Sequence, residues 1–233
     1  MRLAIISDIH ANLEALGAVF EDIDRAGVDR IACLGDVVGY GANPSECIAL
    51  VRARSQHCVV GNHDFAVFDR SLRKLFVASA QKSAQWTEGH LSEADIAWLK
   101  GLPYKLSVDN MLFVHSTPRD PDLWDYIFGH LEAQMYSNAF TERLCFVGHS
   151  HHAQVHSVTP RVRGYTPTDR FIINPGSVGQ PRDGNPKASY GLLDTVAGTY
   201  ENRRVEYDIE KAIEKILAAG LPPNLGSRLR EGR

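Results

Sequence analysis

Short apolar runs alternate with stretches of helical spacing through the first hundred residues. Residues 2–7 form a nearly continuous apolar run of strand length, and residues 12–25 carry Leu13, Leu16, Val19, Phe20 and Ile23 along one helix face. Residues 30–34 predict a second strand and 44–54 a helix, with Asn43 as N-cap and Pro44 in its first turn. Residues 56–60 predict a third strand. This strand–helix alternation implies a parallel sheet covered by helices on both faces. Residues 64–102 read mainly as helix, with Ser92 and Asp95 placed as a capping pair. Beyond them the period changes. Residues 104–108 and 111–115 flank Asp109-Asn110, a hairpin signal. Further strands are predicted at 144–147, 154–158, 171–173, 189–194 and 199–207, and a last helix at 209–219. Residues 221–233 offer few apolar anchors and are expected to form a loose tail. No repeat or linker intervenes, so residues 1–220 are expected to form one α/β (or α+β) domain whose strand-rich second half is enough for two packed sheets.

Composition narrows the class without naming a function. The 233 residues are 44% hydrophobic and 23% charged, with no apolar run long enough to span a bilayer. No signal peptide is expected, since Met1-Arg2 passes through a few apolar residues straight into Ser7-Asp8. Net charge is −3 with both signs interspersed, so no broad basic field exists to hold nucleic acid, and any attraction for phosphate must be local. The four cysteines show no CxxC spacing and read as buried free thiols of a cytoplasmic protein.

The chemistry lies in five short motifs, each directly after an apolar run: Asp8-Ile9-His10, Gly35-Asp36, Gly61-Asn62-His63-Asp64, Val114-His115 and Gly148-His149-Ser150-His151. Strand ends are where open α/β sheets place their ligands. In extended chain, residues i and i+2 point the same way, so Asp8/His10 and His149/His151 would each aim two donors at one point. Glycines 35, 61 and 148 permit sharp turns beside them. Carboxylate, imidazole and amide donors without a thiolate suit Mn, Fe, Zn, Co or Ni.

In this order the motifs resemble those of the calcineurin-like metallophosphoesterases: D-x-H, G-D, G-N-H-[DE], H and G-H-x-H. The resemblance spans residues 1–194. It implies a two-sheet β-sandwich flanked by helices and two divalent metal ions, Mn favoured. One ion would take Asp8, His10, Asp36 and His151, and the other Asp36, Asn62, His115 and His149, with Asp36 as the bridge. His63 resembles the family's histidine near the scissile phosphate, which is not a ligand. The implied reaction is attack by a metal-bridging hydroxide. Two divalent cations offset by two carboxylates and that hydroxide leave a charge of about +1, a local lure for an anion in an acidic protein.

One departure bears on the substrate. In Ser/Thr protein phosphatases the second motif runs G-D-x-x-D-R-G, whereas residues 35–41 here read Gly-Asp-Val-Val-Gly-Tyr-Gly. Gly39 stands where a carboxylate would support His63, so His63 is expected to be a weak general acid. That favours small substrates with good leaving groups, nucleotide-like phosphodiesters or phosphoanhydrides, as in small prokaryotic phosphodiesterases likened to diadenosine polyphosphate hydrolases. Arg119, Arg182 and Tyr40 are candidates for holding the substrate, and Phe65, Trp124 and Tyr126 for stacking a base. A phosphomonoesterase, or a scaffold without catalysis, are the alternatives. A homodimer is the ordinary default, and neither a membrane nor a stable nucleic-acid partner is expected.

Overall fold

A computed structural model describes residues 1–159, 161–162 and 164–233. The chain runs through β1 (Arg2–Ile6), α1 (Leu13–Ala26), β2 (Arg30–Cys33), α2 (Pro44–Arg54) and β3 (His57–Cys58). Four helices follow, α3 (Asn62–Ala66), α4 (Arg70–Arg73), α5 (Ala78–Glu88) and α6 (Glu93–Lys100). Then come β4 (Lys105–Val108), β5 (Met111–Val114), α7 (His130–Met135), β6 (Leu144–Phe146), β7 (Ala153–Ser157) and β8 (Phe171–Pro175). The last elements are β9 (Ala188–Asp194), β10 (Thr199–Val205), α8 (Ile209–Ala218) and α9 (Pro223–Ser227).

Among the described residues the strands form two five-stranded sheets, ordered β10-β9-β1-β2-β3 and β4-β5-β6-β8-β7. Alternation along β1 shows how they pack. Ala4 and Ile6 face α1 and α2, where they meet Leu16, Val19, Ile48 and Val51. Leu3 and Ile5 face the second sheet and meet Phe113, Phe146 and Phe171. The expected helices on both faces of the first sheet are therefore corrected. One face takes helices and the other takes a sheet, and both burials demand apolar residues. The outer face of the second sheet packs Cys145 and Ile172 on Ala133 of α7.

The predicted hairpin is present: Val108 pairs with Met111 across Asp109 and Asn110, both at positive φ. Ser92 and Asp95 form the capping box of α6. Asn43 does precede α2, but its side chain donates to Glu46 at 2.8 Å instead of capping the helix. The loose tail is also corrected. Residues 223–230 are helical, and Leu221, Leu225 and Leu229 are buried against Ile213, Ile216 and Tyr40. Three leucines at four-residue spacing suffice because α8 and the Tyr40 loop provide an apolar seat for them. No helix of the described residues is long and apolar enough to cross a membrane.

Candidate metal centre

The parallel strands of both sheets end at one edge, and the five motifs leave from there. Asp8 and His10 follow β1, Asp36 follows β2, and Asn62 and His63 follow β3 at the start of α3. His115 follows β5, and His149 and His151 follow β6. Two overlapping groups result, Asp8–His10–Asp36–His151 and Asp36–His115–His149, each with its ligand atoms within 4.8 Å of one another and all of them buried. Asp36 belongs to both. Asn62 joins the second group, with Oδ1 3.2 Å from His115 Nε2.

The local backbone differs from the extended chain expected. Asp8, His10, Asp36, His149 and His151 have φ of 53°, 51°, 51°, 66° and 60°, in the left-handed region. Such residues cost roughly 1–2 kcal/mol each and persist only where the surroundings over-determine them. Here the loops bind one another: the N–H groups of Ile9 and His10 both donate to the Asp36 carbonyl, and that of Gly179 donates to the Asp8 carbonyl, all at 2.9 Å. The side chains converge because each strand end turns over, not because alternate residues share a face.

Each histidine of the two groups donates one ring N–H to a main-chain carbonyl. His10 Nδ1 reaches Val38 (3.2 Å), His115 Nδ1 Leu34 (2.8 Å), His151 Nδ1 Gln180 (2.6 Å) and His149 Nε2 Trp124 (2.9 Å). These bonds fix which nitrogen of each ring faces inward, a lone pair on the neutral rings of His10, His149 and His151, the arrangement typical of metal-binding histidine. His10 Nε2 and His151 Nε2 consequently face each other at 3.1 Å, acceptor to acceptor. Asp36 Oδ2 is buried without a hydrogen-bond partner, 3.4 Å from His115 Nε2 and 3.6 Å from His10 Nε2. A buried carboxylate oxygen without a donor, facing imidazole nitrogens, is a place suited to a cation. The donor set therefore fits divalent metal.

The electrostatics agree. Burial alone would raise Asp8 and Asp36, but the histidines around them hold both carboxyls far below the usual range. Burial pushes His10 and His151 down, and His149 to about 3, so they stay neutral. Burial also pulls on His115, but Asp36 and Asp8 outweigh it and lift the ring to about 10. The field that draws a proton there would draw a metal ion.

His63 lies beside the groups, its ring 4.9 Å from His10 and 4.3 Å from Tyr40. Burial lowers it to about 4, and its Nδ1 is buried without a partner. Asp64 does not support it. The Asp64 carboxylate accepts the N–H groups of Val38 and Gly61, both at 3.1 Å, and burial beside Asp36 raises it to about 7.

Of the substrate candidates, Arg182 and Tyr40 reach the site. Arg182 Nη2 donates to Gln180 Oε1 at 2.7 Å and lies 3.5 Å from the Tyr40 hydroxyl. Arg119 does not; it is exposed and rests over Tyr136 at 6.0 Å. Trp124 contributes its carbonyl to His149 and packs its ring against Phe65 and Tyr104. Tyr126 stacks on His149 at 3.8 Å. Of the residues that hold the loops in place, sequence reasoning missed Ser7. Ser7 donates to Asp8 Oδ2 (2.6 Å), Ser177 to the Asp8 carbonyl (2.7 Å) and Asn174 Nδ2 to the Gly148 carbonyl (2.7 Å). Polar residues next to a charged strand end were the available signal, with nothing local to say which partner each takes.

The comparisons with known proteins point the same way. The family model described as the calcineurin-like phosphoesterase superfamily domain matches residues 1–198, and the chain belongs to that family. An uncharacterized protein of Methanocaldococcus jannaschii is 42% identical over 241 residues, covering 99% of this chain and 98% of its own. The crystal structure of a metallophosphoesterase from Sphaerobacter thermophilus superposes with a TM-score of 0.88 at 39% identity, both chains covered in full. A hypothetical protein of Pyrococcus horikoshii shares the fold, with a TM-score of 0.83 at 19% identity over 100% of this chain and 98% of its own.

Proposed function

We propose that the protein is a dinuclear metal-dependent hydrolase of phosphodiesters or phosphoanhydrides in small, nucleotide-like substrates. The carrying observation is the buried cluster in which Asp36 belongs to both groups, with its Oδ2 free of any hydrogen-bond partner between His10 Nε2 and His115 Nε2. Asp8, His10, Asp36 and His151 would hold one ion, and Asp36, Asn62, His115 and His149 the other. Such a pair supplies Lewis-acid polarisation of the phosphoryl group and a nucleophile at neutral pH. Family membership supports hydrolysis of phosphoesters.

The protein's own residues support the substrate class. His63, held neutral near pH 7 with no carboxylate behind it, is a poor proton donor, which suits leaving groups that depart without one. Arg182 places a guanidinium beside Tyr40 at the edge of the cluster, suited to a phosphoryl oxygen. The rings of His149, Tyr126 and Phe128 stack in sequence from the cluster outward, at 3.8 and 5.0 Å, with Tyr126 43% and Phe128 53% exposed. A nucleobase can extend that stack for about 1–3 kcal/mol.

The test is turnover of a nitrophenyl phosphodiester and the matching monoester by metal-stripped protein restored with Mn²⁺, for wild type and Asp36→Asn. Metal-dependent diester turnover that the substitution abolishes is expected. Monoester preference would replace the reading with a phosphatase, and no turnover of either, with no Mn²⁺ bound, would leave a scaffold.

A further inference from the structure

We propose that the segment between β5 and α7 governs one of the two ion positions and not the other. Trp124 is its positioning residue: it sets the ring of His149, and the ion of the Asp36–Asn62–His115–His149 group depends on it. The inference rests on the two-ion reading of the site and adds an order to it, in which that ion is the one more readily lost.

His149 is held differently from the other three histidines. His10, His115 and His151 donate through Nδ1 to the carbonyls of Val38, Leu34 and Gln180, all of them buried residues. His149 donates through Nε2, at the far end of its ring, to the carbonyl of Trp124 at 2.9 Å, which leaves Nδ1 as the nitrogen it can offer. The face of the same ring is covered by Tyr126, 3.8 Å away and inclined at 13°. One segment thus supplies both the edge contact and the face contact of this imidazole. His10 and His151 of the other group bond to carbonyls outside it.

Trp124 is the fixed point of the segment. It stands at φ 58° and ψ 34°, in the left-handed region, as Asp120 does at φ 49° four residues earlier. A bulky residue stays there only where its surroundings over-determine it. They do so through the indole, which packs 5.9 Å from the ring of Phe65 and 5.7 Å from that of Tyr104. Phe65 belongs to α3, the helix that Asn62 opens. The indole therefore ties the carbonyl that holds His149 to the helix that carries another donor of the same group. Leu123, Asp125, Tyr126 and Phe128 around it are exposed, and the next buried side chain is Ile127.

Without the indole the carbonyl is free to move, and the far end of the imidazole goes with it. Loss of the group that orients a metal-binding side chain typically costs about 10–100-fold in metal affinity. Val38, Gln180 and Ser7, which hold His10, His151 and Asp8, are untouched by that change, so the cost falls on one ion.

The experiment measures Mn²⁺ binding to wild type, Trp124→Ala, Trp124→Phe and Tyr126→Ala by equilibrium dialysis with metal analysis, and follows the exchange-coupled signal of paired Mn²⁺ by electron spin resonance. Wild type is expected to take two ions. In Trp124→Ala the weaker one should fall about 10–100-fold in affinity and the coupled signal with it, while the tighter one stays as it is. Trp124→Phe should recover most of the loss, and Tyr126→Ala, which removes an exposed ring, should weaken the same ion by a smaller factor. Melting temperatures of the metal-free proteins show which variants are folded. Two ions held at wild-type affinity in Trp124→Ala, or both weakened alike, overturns the inference. Should Trp124→Ala fail to fold, Tyr126→Ala decides by the same criterion. A wild type that binds two ions, with variants that do likewise, removes the inference alone; a wild type that never binds two removes the two-ion reading with it.

Discussion

Gly39 lies against the ring of His63 so closely that a Cβ at position 39 would stand 2.7 Å from His63 Nδ1. The contact occupies the side from which a carboxylate would otherwise orient the ring, and it leaves that nitrogen buried without a partner. Gly39 also sits at φ +90°, where side chains are strained. Gly39→Ala is therefore expected to destabilise the protein by about 1–3 kcal/mol and to displace His63. Thermal unfolding checks the first effect. Turnover of a phosphodiester with a poor leaving group, falling further than that of a nitrophenyl diester, checks the second. Wild-type stability would contradict the strain.

His115 provides a prediction in protons. The ring, lifted to about 10 by Asp36 and Asp8 against the pull of burial, carries a proton at pH 7 in metal-stripped protein. A metal ion needs the same lone pair, so loading near pH 7 should expel about one proton per protein from this group. Calorimetric titration of Mn²⁺ in buffers of different ionisation enthalpy reads that number directly. A heat independent of buffer would show that His115 is already neutral.

Asn174 braces the loop of His149 and His151. Its Nδ2 donates to the Gly148 carbonyl and, at 3.0 Å, to Ser150 Oγ, while its Oδ1 accepts the Gly176 N–H at 2.9 Å. Asn174→Ala orphans buried groups and should cost about 1–3 kcal/mol. Because the brace orients candidate metal-binding side chains, Mn²⁺ affinity should fall by about 10–100-fold. Loss of stability with unchanged affinity would restrict Asn174 to a structural role.

Leu225 is fully buried beneath the C-terminal segment, packed with Tyr40 and α8. Leu225→Ala should cost about 2–5 kcal/mol. Amide exchange would localise the loss: protection should fall at residues 225–232 and at Gly184, whose N–H is bonded to Gly232. Unchanged exchange there would mean that the segment is not held by this leucine.

The candidate cluster was legible in the sequence because each motif is local and its neighbours announce a strand end. Asp8, His10, Asp36, Asn62, His115, His149 and His151 come together in the fold. The reason they converge was not legible, since a left-handed φ at Asp8 or His151 is imposed by loops far away in the chain. Periodicity likewise found the strands but not what covers them: the run in β1 is equally apolar whether its second face meets helices or a sheet. Arg119 and Arg182 looked equivalent as arginines near site motifs. The difference is a partner, Gln180 Oε1 for one and the ring of Tyr136 for the other. The tail was misread because its leucines are few, and their seat is formed by residues some 180 positions earlier and by α8.

The placement of β1 bears on how the protein is made. The strand lies between β2 and β9, and Arg2 pairs with Asp194. A growing chain thus carries Asp8 and His10 just beyond a strand with one edge open, before Ser177 and Gln180 exist to hold the loops of Asp8 and His151. The two groups can therefore be complete only in a chain that extends from Asp8 through Gln180. Chains arrested near residue 180 should accordingly bind Mn²⁺ far more weakly than the finished protein. The residues that could hold a metal ion thus share one late requirement, the return of the chain to the edge of β1.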